Sequence, residues 1–158
     1  MSGQTLDMYD IRLLEALQDD DARPLHELAE KVRLSVSQCS RRIHRLKESG
    51  CIRRQVTLLD PSAIGLDVEA FISVSLNQHS PEQTKIFHEQ IKNMLPVIEC
   101  YAITGGDGDY LLKVVAPNQK ALSTFLMEEL MTIPNICNIK TSLTLSAVKS
   151  TTALPLDL

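Results

Sequence analysis

The chain has 158 residues, of which 44% are apolar and 23% charged, with a formal net charge of −4. That composition excludes a disordered chain, and no apolar run reaches the length of about 18 to 20 residues that a membrane-spanning helix needs. The opening "MSGQTLDMYD" has neither the basic nor the apolar region of a leader, so the cytoplasm is the expected compartment and no membrane partner is expected.

Cys39, Cys51, Cys100 and Cys137 contain no C-x-x-C pair, and His26, His44, His79 and His88 contain no H-x₃-H pair. No metal or other cofactor is therefore expected, and buried thiols are the default reading of the cysteines. The charge is unevenly placed. Between Asp7 and Glu30 stand eight acids and two bases, whereas Lys31 to Arg54 holds eight bases and one acid, Glu48. A local basic excess is what phosphate neutralisation requires, whatever the whole-chain balance. The plainer alternative is a solvated helix face.

The first predicted helix, in "LDMYDIRLLEALQDDD", has Asp7 as N-cap and Ile11, Leu14 and Leu17 at helical spacing. "PLHELAEKV" is a short second helix with Leu25, Leu28, Ala29 and Val32 on one face. The third, "SVSQCSRRIHRLKESG", opens with Ser35 and Gln38 in capping-box spacing and closes at Gly50. Val36, Cys39, Ile43 and Leu46 form its expected buried stripe, and the remainder is polar or basic. Helix, tight turn and a helix with a basic outer face form a helix-turn-helix, whose second helix reads the major groove. "CIRRQVTLLD" reads as a wing strand.

Ser37, Gln38 and Arg41 are the candidate base readers, since Arg pairs with guanine and Gln with adenine through two hydrogen bonds. Ser35 and Ser40 share the same helix. Arg42, Arg45, Arg53 and Arg54 are the candidate phosphate contacts. If Gln38 closes the capping box it cannot also read a base, and the sequence leaves both options open.

"DPSAIGLD" carries the Pro and Gly of a linker. Beyond it the pattern becomes strand "VEAFISVSL", helix "SPEQTKIFHEQIKNML", strand "VIECYAIT", strand "YLLKVV", helix "NQKALSTFLMEELMTI" and strand "ICNIKTSLTLSAV". The helices are expected to bury Ile86, Phe87, Ile91, Met94 and Leu95, and Leu122, Phe125, Leu126, Leu130 and Ile133. This β-α-β-β-α-β order is the ferredoxin-like split motif: two helices on one face of an antiparallel sheet. The other face, with Phe71 and Val74 expected on it, needs a partner, and self-association supplies one. The fold class is thus α+β, with residues 1–59 a winged helix-turn-helix, 60–67 a linker, 68–150 the ferredoxin-like domain and 151–158 a tail. No base–nucleophile pair appears, so no enzyme is expected.

Between the middle strands lies "TGGDGDY". A phosphate loop would need G-K-[ST] and a following helix. A calcium loop would need further acidic ligands where Tyr110 and Leu111 stand. A plain strand-to-strand turn and a ligand-sensing loop both remain open.

"LDMYDIRLLEALQDD", "LAEKVRLSVSQCSRRIHRLKESGCI", "LLDPSAIGL" and "TGGDGDYLLKV" together resemble the Lrp/AsnC (leucine-responsive, feast-famine) family of transcription regulators over nearly the whole chain. The resemblance implies a DNA-binding transcription regulator with a C-terminal RAM/ACT-like domain that dimerises, builds octamers, and binds a small amino acid between domains. It implies that Ser35 to Arg45 form the recognition helix. It also implies that Thr104, Gly105, Gly106, Asp107, Gly108, Asp109 and Tyr110 line the effector site, joined by Ser142, Leu143 and Thr144. On that resemblance double-stranded DNA, further copies of the chain and an amino acid of unknown identity are its partners. An effector-independent architectural DNA-binding protein is the alternative.

Overall fold

The computed structural model describes residues 5–106 and 108–156. The chain forms two compact units, one taking in the chain up to Leu58 and again from Lys149, the other Leu59–Val148.

The N-terminal unit is built on three helices: α1 (Met8–Asp19), α2 (Leu25–Val32) and α3 (Val36–Glu48). Asp7 caps α1 by accepting the Asp10 N–H at 2.8 Å, and the Asp10 carboxylate returns a bond to the Asp7 N–H at 3.2 Å. Two of the orphan donors at the helix start are thereby satisfied. The turn from α2 to α3 passes through Arg33, held in the left-handed region at φ +57°. Ser35 then starts α3, accepting the Gln38 N–H while Gln38 Oε1 accepts the Ser35 N–H at 3.0 Å. Gly50, at φ +77°, follows its last turn.

Leu13, Leu14, Ala16, Leu28, Ala29, Val32, Cys39 and Leu46 form the core of this unit, with Ile43, Leu34 and Leu156 packed against it. The stripe on α1 centres on Leu13 rather than on Ile11 and Leu17, which are half-buried. Val36, expected in the core, is 47% exposed. It stands at the first helical position, where no preceding turn exists to pack on. The expected wing strand is corrected as well: residues 53–60 pair with no strand. Gln55 ties this segment down instead, accepting from Lys47 Nζ at 2.5 Å and donating to Asp21.

The second unit is an antiparallel sheet of β1 (Val68–Leu76), β2 (Val97–Ala102), β3 (Tyr110–Ala116) and β4 (Ile136–Leu143), in the order β2-β3-β1-β4. Helices α4 (Pro81–Lys92) and α5 (Gln119–Thr124) complete the ferredoxin-like split motif. Ala70, Ile72, Val74 and Leu76 of β1 and Tyr110, Leu112, Val114 and Ala116 of β3 share a core with Phe87, Ile91, Leu122, Phe125, Leu130 and Ile133. Val74 therefore faces the helices, not the uncovered face. Residues three apart in a strand lie on opposite faces, so Phe71 and Val74 cannot share one. Phe71 does face outward, 38% exposed. Leu95, expected inward, is 93% exposed beyond the end of α4, and Ile86 is 38% exposed.

The expected single helix over residues 118–133 starts at Gln119, with Asn118 as its cap, and changes gauge twice. After α5, Phe125–Glu129 form a π-helical turn and Leu130–Thr132 a 3₁₀ turn. The wider turn rotates the residues after it, so that Phe125, Leu130 and Ile133 all reach the core.

Candidate nucleic-acid interface and ligand site

Helical geometry divides the polar side of α3 in two. Ser37, Ser40, Arg41, His44 and Glu48 recur at steps of three and four, opposite the buried Cys39 and Leu46, and all are exposed. Gln38, Arg42 and Arg45 fall on the adjacent strip. Among the described residues Arg41, Arg53 and Arg54 carry no ion pair or hydrogen bond to another side chain, and each is exposed.

Arg42 and Arg45 are engaged. Arg42 Nη1 donates to Asp7 Oδ2 at 2.7 Å and to Asp10 Oδ1 at 2.7 Å. Arg45 Nη2 lies 2.6 Å from both oxygens of Asp10. The Asp10 side chain is only 3% exposed, so its charge is compensated by these guanidinium groups rather than by water. The Arg42 guanidinium also stands 5.6 Å from the centroid of the Tyr9 ring. This network fastens the start of α1 to the middle of α3. The Asp10 N–H, with Arg42 beside it, holds the Asp7 carboxyl below its ordinary value. Burial pushes the Cys39 thiol up, which suits a packed, inert thiol.

Gln38 closes the capping box through Oε1. Ser35 acts as the cap, and its Oγ lies 3.2 Å from that of Ser37. Val36 adds an apolar surface at the first turn of α3, which the 3–4–3 spacing of apolar residues does not reveal. A methyl-bearing side chain there suits contact with a thymine methyl.

In the second unit, the loop between β2 and β3 is pinned to β1. The Asp109 N–H donates to the Val74 carbonyl at 2.8 Å, and the Ile103 N–H to the Asp109 carbonyl at 2.9 Å. Asp109 Oδ2 accepts the Leu76 N–H at 2.7 Å, where the register between β1 and β4 shifts. The β1–β3 pairing ends at Val74–Tyr110, and the carboxylate takes over as partner for this next donor on the β3 side of β1. Its other oxygen, Oδ1, lies 3.8 Å from His79 Nε2. Gly105 and Gly106 have φ of +77° and +98°, with open space where a Cβ would stand. Gly108 differs: a Cβ there would meet the Val74 carbonyl oxygen at 3.0 Å and the Val74 nitrogen at 3.2 Å. Thr104 is exposed, and Asp107 lies outside the described residues.

Tyr110 points into the core. Its ring centroid is 4.5 Å from that of Phe87, and its hydroxyl is 3.0 Å from His88 Nε2. Burial raises the pKa of the phenol.

Ser142, Leu143 and Thr144 are at the other end of the sheet. Ser142 pairs with Phe71 and Leu143 with Ala70, and the Thr144 N–H donates to the Glu69 carbonyl, whereas Gly108 packs on Val74. Val74 lies five steps along β1 from Glu69, roughly 17 Å at about 3.4 Å per step. One chain does not bring the two sets to one small ligand. A cavity of about 770 Å³ is lined by Met94, Leu95, Glu128, Glu129 and Ile133 among others and by no described residue of the loop.

The uncovered face carries Phe71, Tyr101 and Leu111, which neighbour one another through the cross-strand pairs Tyr101–Leu111, Leu111–Ser73 and Phe71–Lys113. Lys113 bonds Glu69 at 2.9 Å and lies 6.0 Å from the Phe71 centroid.

The sequence matches the model of the AsnC-type helix-turn-helix domain over residues 6–47 and that of the Lrp/AsnC ligand binding domain over 69–154. The chain belongs to the Lrp/AsnC family. It is 34% identical to the transcriptional regulator AzlB of Bacillus subtilis, covering 98% of both chains. To the leucine-responsive regulatory protein of Rhizobium meliloti it is 38% identical, over 91% of this chain and 92% of that one. Its fold superposes on a Neisseria meningitidis transcriptional regulator solved in complex with L-Met with a TM-score of 0.93, at 34% identity over 97% and 98% of the two chains. An AsnC family regulator from Agrobacterium tumefaciens gives a TM-score of 0.90 at 38% identity, over 96% and 98%. This Lrp/AsnC chain is thus a DNA-binding transcription regulator with a ligand-binding domain, and its relatives are regulators rather than enzymes. Among the described residues, no helix is long and apolar enough to cross a membrane.

Proposed function

We propose that this regulator binds specific DNA sites and that a small amino acid, held between the C-terminal domains of associated copies, sets its assembly and DNA affinity. The observation that supports the reading is the placement of the two candidate ligand-binding sets. Gly105 and Gly106 stand open at one end of β1, and Ser142 to Thr144 lie at the other. A site using both is completed only when a second copy brings its own strand end to the loop.

Copies pair through the uncovered sheet face of Phe71, Tyr101 and Leu111, and pairs associate further, up to the octamer. The N–H groups around Gly105 and Gly106 take the ligand carboxylate, and Asp109 Oδ1 faces its ammonium. Because the ligand joins copies, it favours one assembly over another, and the spacing of paired reading helices changes with it. The L-Met bound to the Neisseria meningitidis regulator supports an amino acid as the ligand class.

On DNA, Arg41 with Ser37 and Ser40 read bases, and Arg53 and Arg54 neutralise phosphates. Gln38, Arg42 and Arg45 serve chiefly to shape and hold α3. Calorimetric titration of the twenty amino acids, paired with footprinting, tests the reading. The expected result is discrete protected sites whose occupancy responds to at least one amino acid. Continuous coverage of long fragments with no response would support the architectural alternative instead.

A further inference from the structure

The tail from Lys149 lies with the helical unit and not with the sheet from which it emerges. Gln18, near the end of α1, donates from Nε2 to the Leu154 carbonyl at 3.1 Å and accepts the Leu154 N–H on Oε1 at 2.6 Å. One amide side chain thus satisfies both polar groups of a main-chain residue, as a neighbouring strand would. Two residues on, Leu156 packs against the core of the helical unit. Pro155 between them has no N–H to leave unpaired.

The chain therefore leaves the helical unit at Leu58 and re-enters it at Lys149. The two connections reach it at different points: the first comes after α3, and the second ends on α1. A reading head on one flexible connection keeps most of its rotational freedom. A second attachment at another point removes much of it.

We propose that Gln18 and the adjoining core edge form a docking site for this chain's own C-terminal segment, and that docking restrains the DNA-reading head so that the heads of associated copies meet paired half-sites with less orientational entropy to lose. The inference rests on the paired heads proposed above. Its consequence is confined to paired sites. Restraint raises the effective concentration of the second head at its half-site and leaves the contacts of a single head unchanged.

The test uses DNA selected by the full chain from a random library, in paired and single half-site forms. It compares that chain with Gln18→Ala, with Leu156→Asp and with a chain ending at Val148. In Gln18→Ala the Leu154 amide should lose its protection from hydrogen exchange. In each variant the preference for paired over single half-sites should fall about tenfold, with single-site affinity unchanged. An unchanged preference alongside a freed Leu154 amide overturns the proposal. An equal loss of single-site affinity also overturns it, because the tail would then be only a part of the head's fold. If the full chain itself holds paired sites no tighter than single ones, the paired-head reading fails and takes the proposal with it, a result visible before any variant is made.

Discussion

Replacing Asp10 with Ala should destabilise the helix-turn-helix by about 3 kcal/mol. The Asp10 carboxylate is 3% exposed and accepts from Arg42 at 2.7 Å and Arg45 at 2.6 Å. Breaking a fully buried ion pair costs about 3–5 kcal/mol, because the surviving charge is stranded. Here the Arg42 and Arg45 side chains are 22% and 46% exposed, so both can recover water, and about 2 kcal/mol is the fitting figure. Loss of the returning bond to the Asp7 N–H adds roughly 0.5–1 kcal/mol. Against a total of about 5–15 kcal/mol for an ordinary domain, the head should open far more often than the sheet unit. Hydrogen exchange of α1 and α3 amides, read along a urea series, isolates the head from the rest of the chain. Arg42→Ala should cost less than Asp10→Ala, and the double variant should fall short of the sum by about 1–2 kcal/mol. Arg41→Ala, at a side chain without a partner among the described residues, should stay within about 0.5 kcal/mol of the parent. An Asp10→Ala cost below about 1 kcal/mol, or an Arg41→Ala cost equal to it, would refute the assignment of the network as the fastening of α3.

The same division of arginines appears in salt dependence. Arg53→Ala and Arg54→Ala should each flatten the dependence of log K on log salt by about 0.9, while Arg42→Ala should leave that slope in place; titrations on one duplex at several salt concentrations decide it. Gly108→Ala should cost about 1–3 kcal/mol, since its new methyl would meet the backbone of Val74 at 3.0 Å. Thermal unfolding would show the cost, and a neutral Gly108→Ala would mean the loop is not seated on β1. Acid should weaken the head through Asp7. Its folded pKa lies below the ordinary value of 3.8, so the unfolded chain takes up the proton first as pH falls. The associated stability is present above about pH 4 and drains away as pH drops through the folded value. Asp7→Asn should therefore lose less than the parent on acidification from about pH 5 to about pH 3. Equal loss in both would remove Asp7 from the acid response.

Periodicity and capping chemistry are local, and the features they govern are legible in the sequence. Asp7 and Ser35 start α1 and α3, Gly50 comes after the end of α3, and the β-α-β-β-α-β order leads to the observed sheet. The misreadings have another origin. Setting Val74 beside Phe71 breaks strand parity, and counting Leu95 as helical overruns α4, which ends at Lys92. Arg42 and Arg45 look like free cations in the sequence because their partner lies 32 and 35 residues away on another helix. Asp109 reads as an acid awaiting a ligand, yet one of its oxygens accepts the Leu76 N–H beyond the last β1–β3 pair, from a residue 33 positions away in sequence. Likewise the tail's return to α1 spans 136 residues, beyond the reach of any local pattern. Ser142 to Thr144 rest on family resemblance alone, and their distance from the glycine loop becomes visible only through the pairing of β1.

Sedimentation velocity of the purified chain with each of the twenty amino acids in turn, with and without selected DNA, tests the central claim most directly. At least one amino acid should shift the distribution of assemblies and move the DNA-binding midpoint with it. Gly106→Val should abolish both shifts while leaving the ligand-free assembly as it was. Distributions and midpoints that no amino acid moves would contradict a ligand site completed between copies.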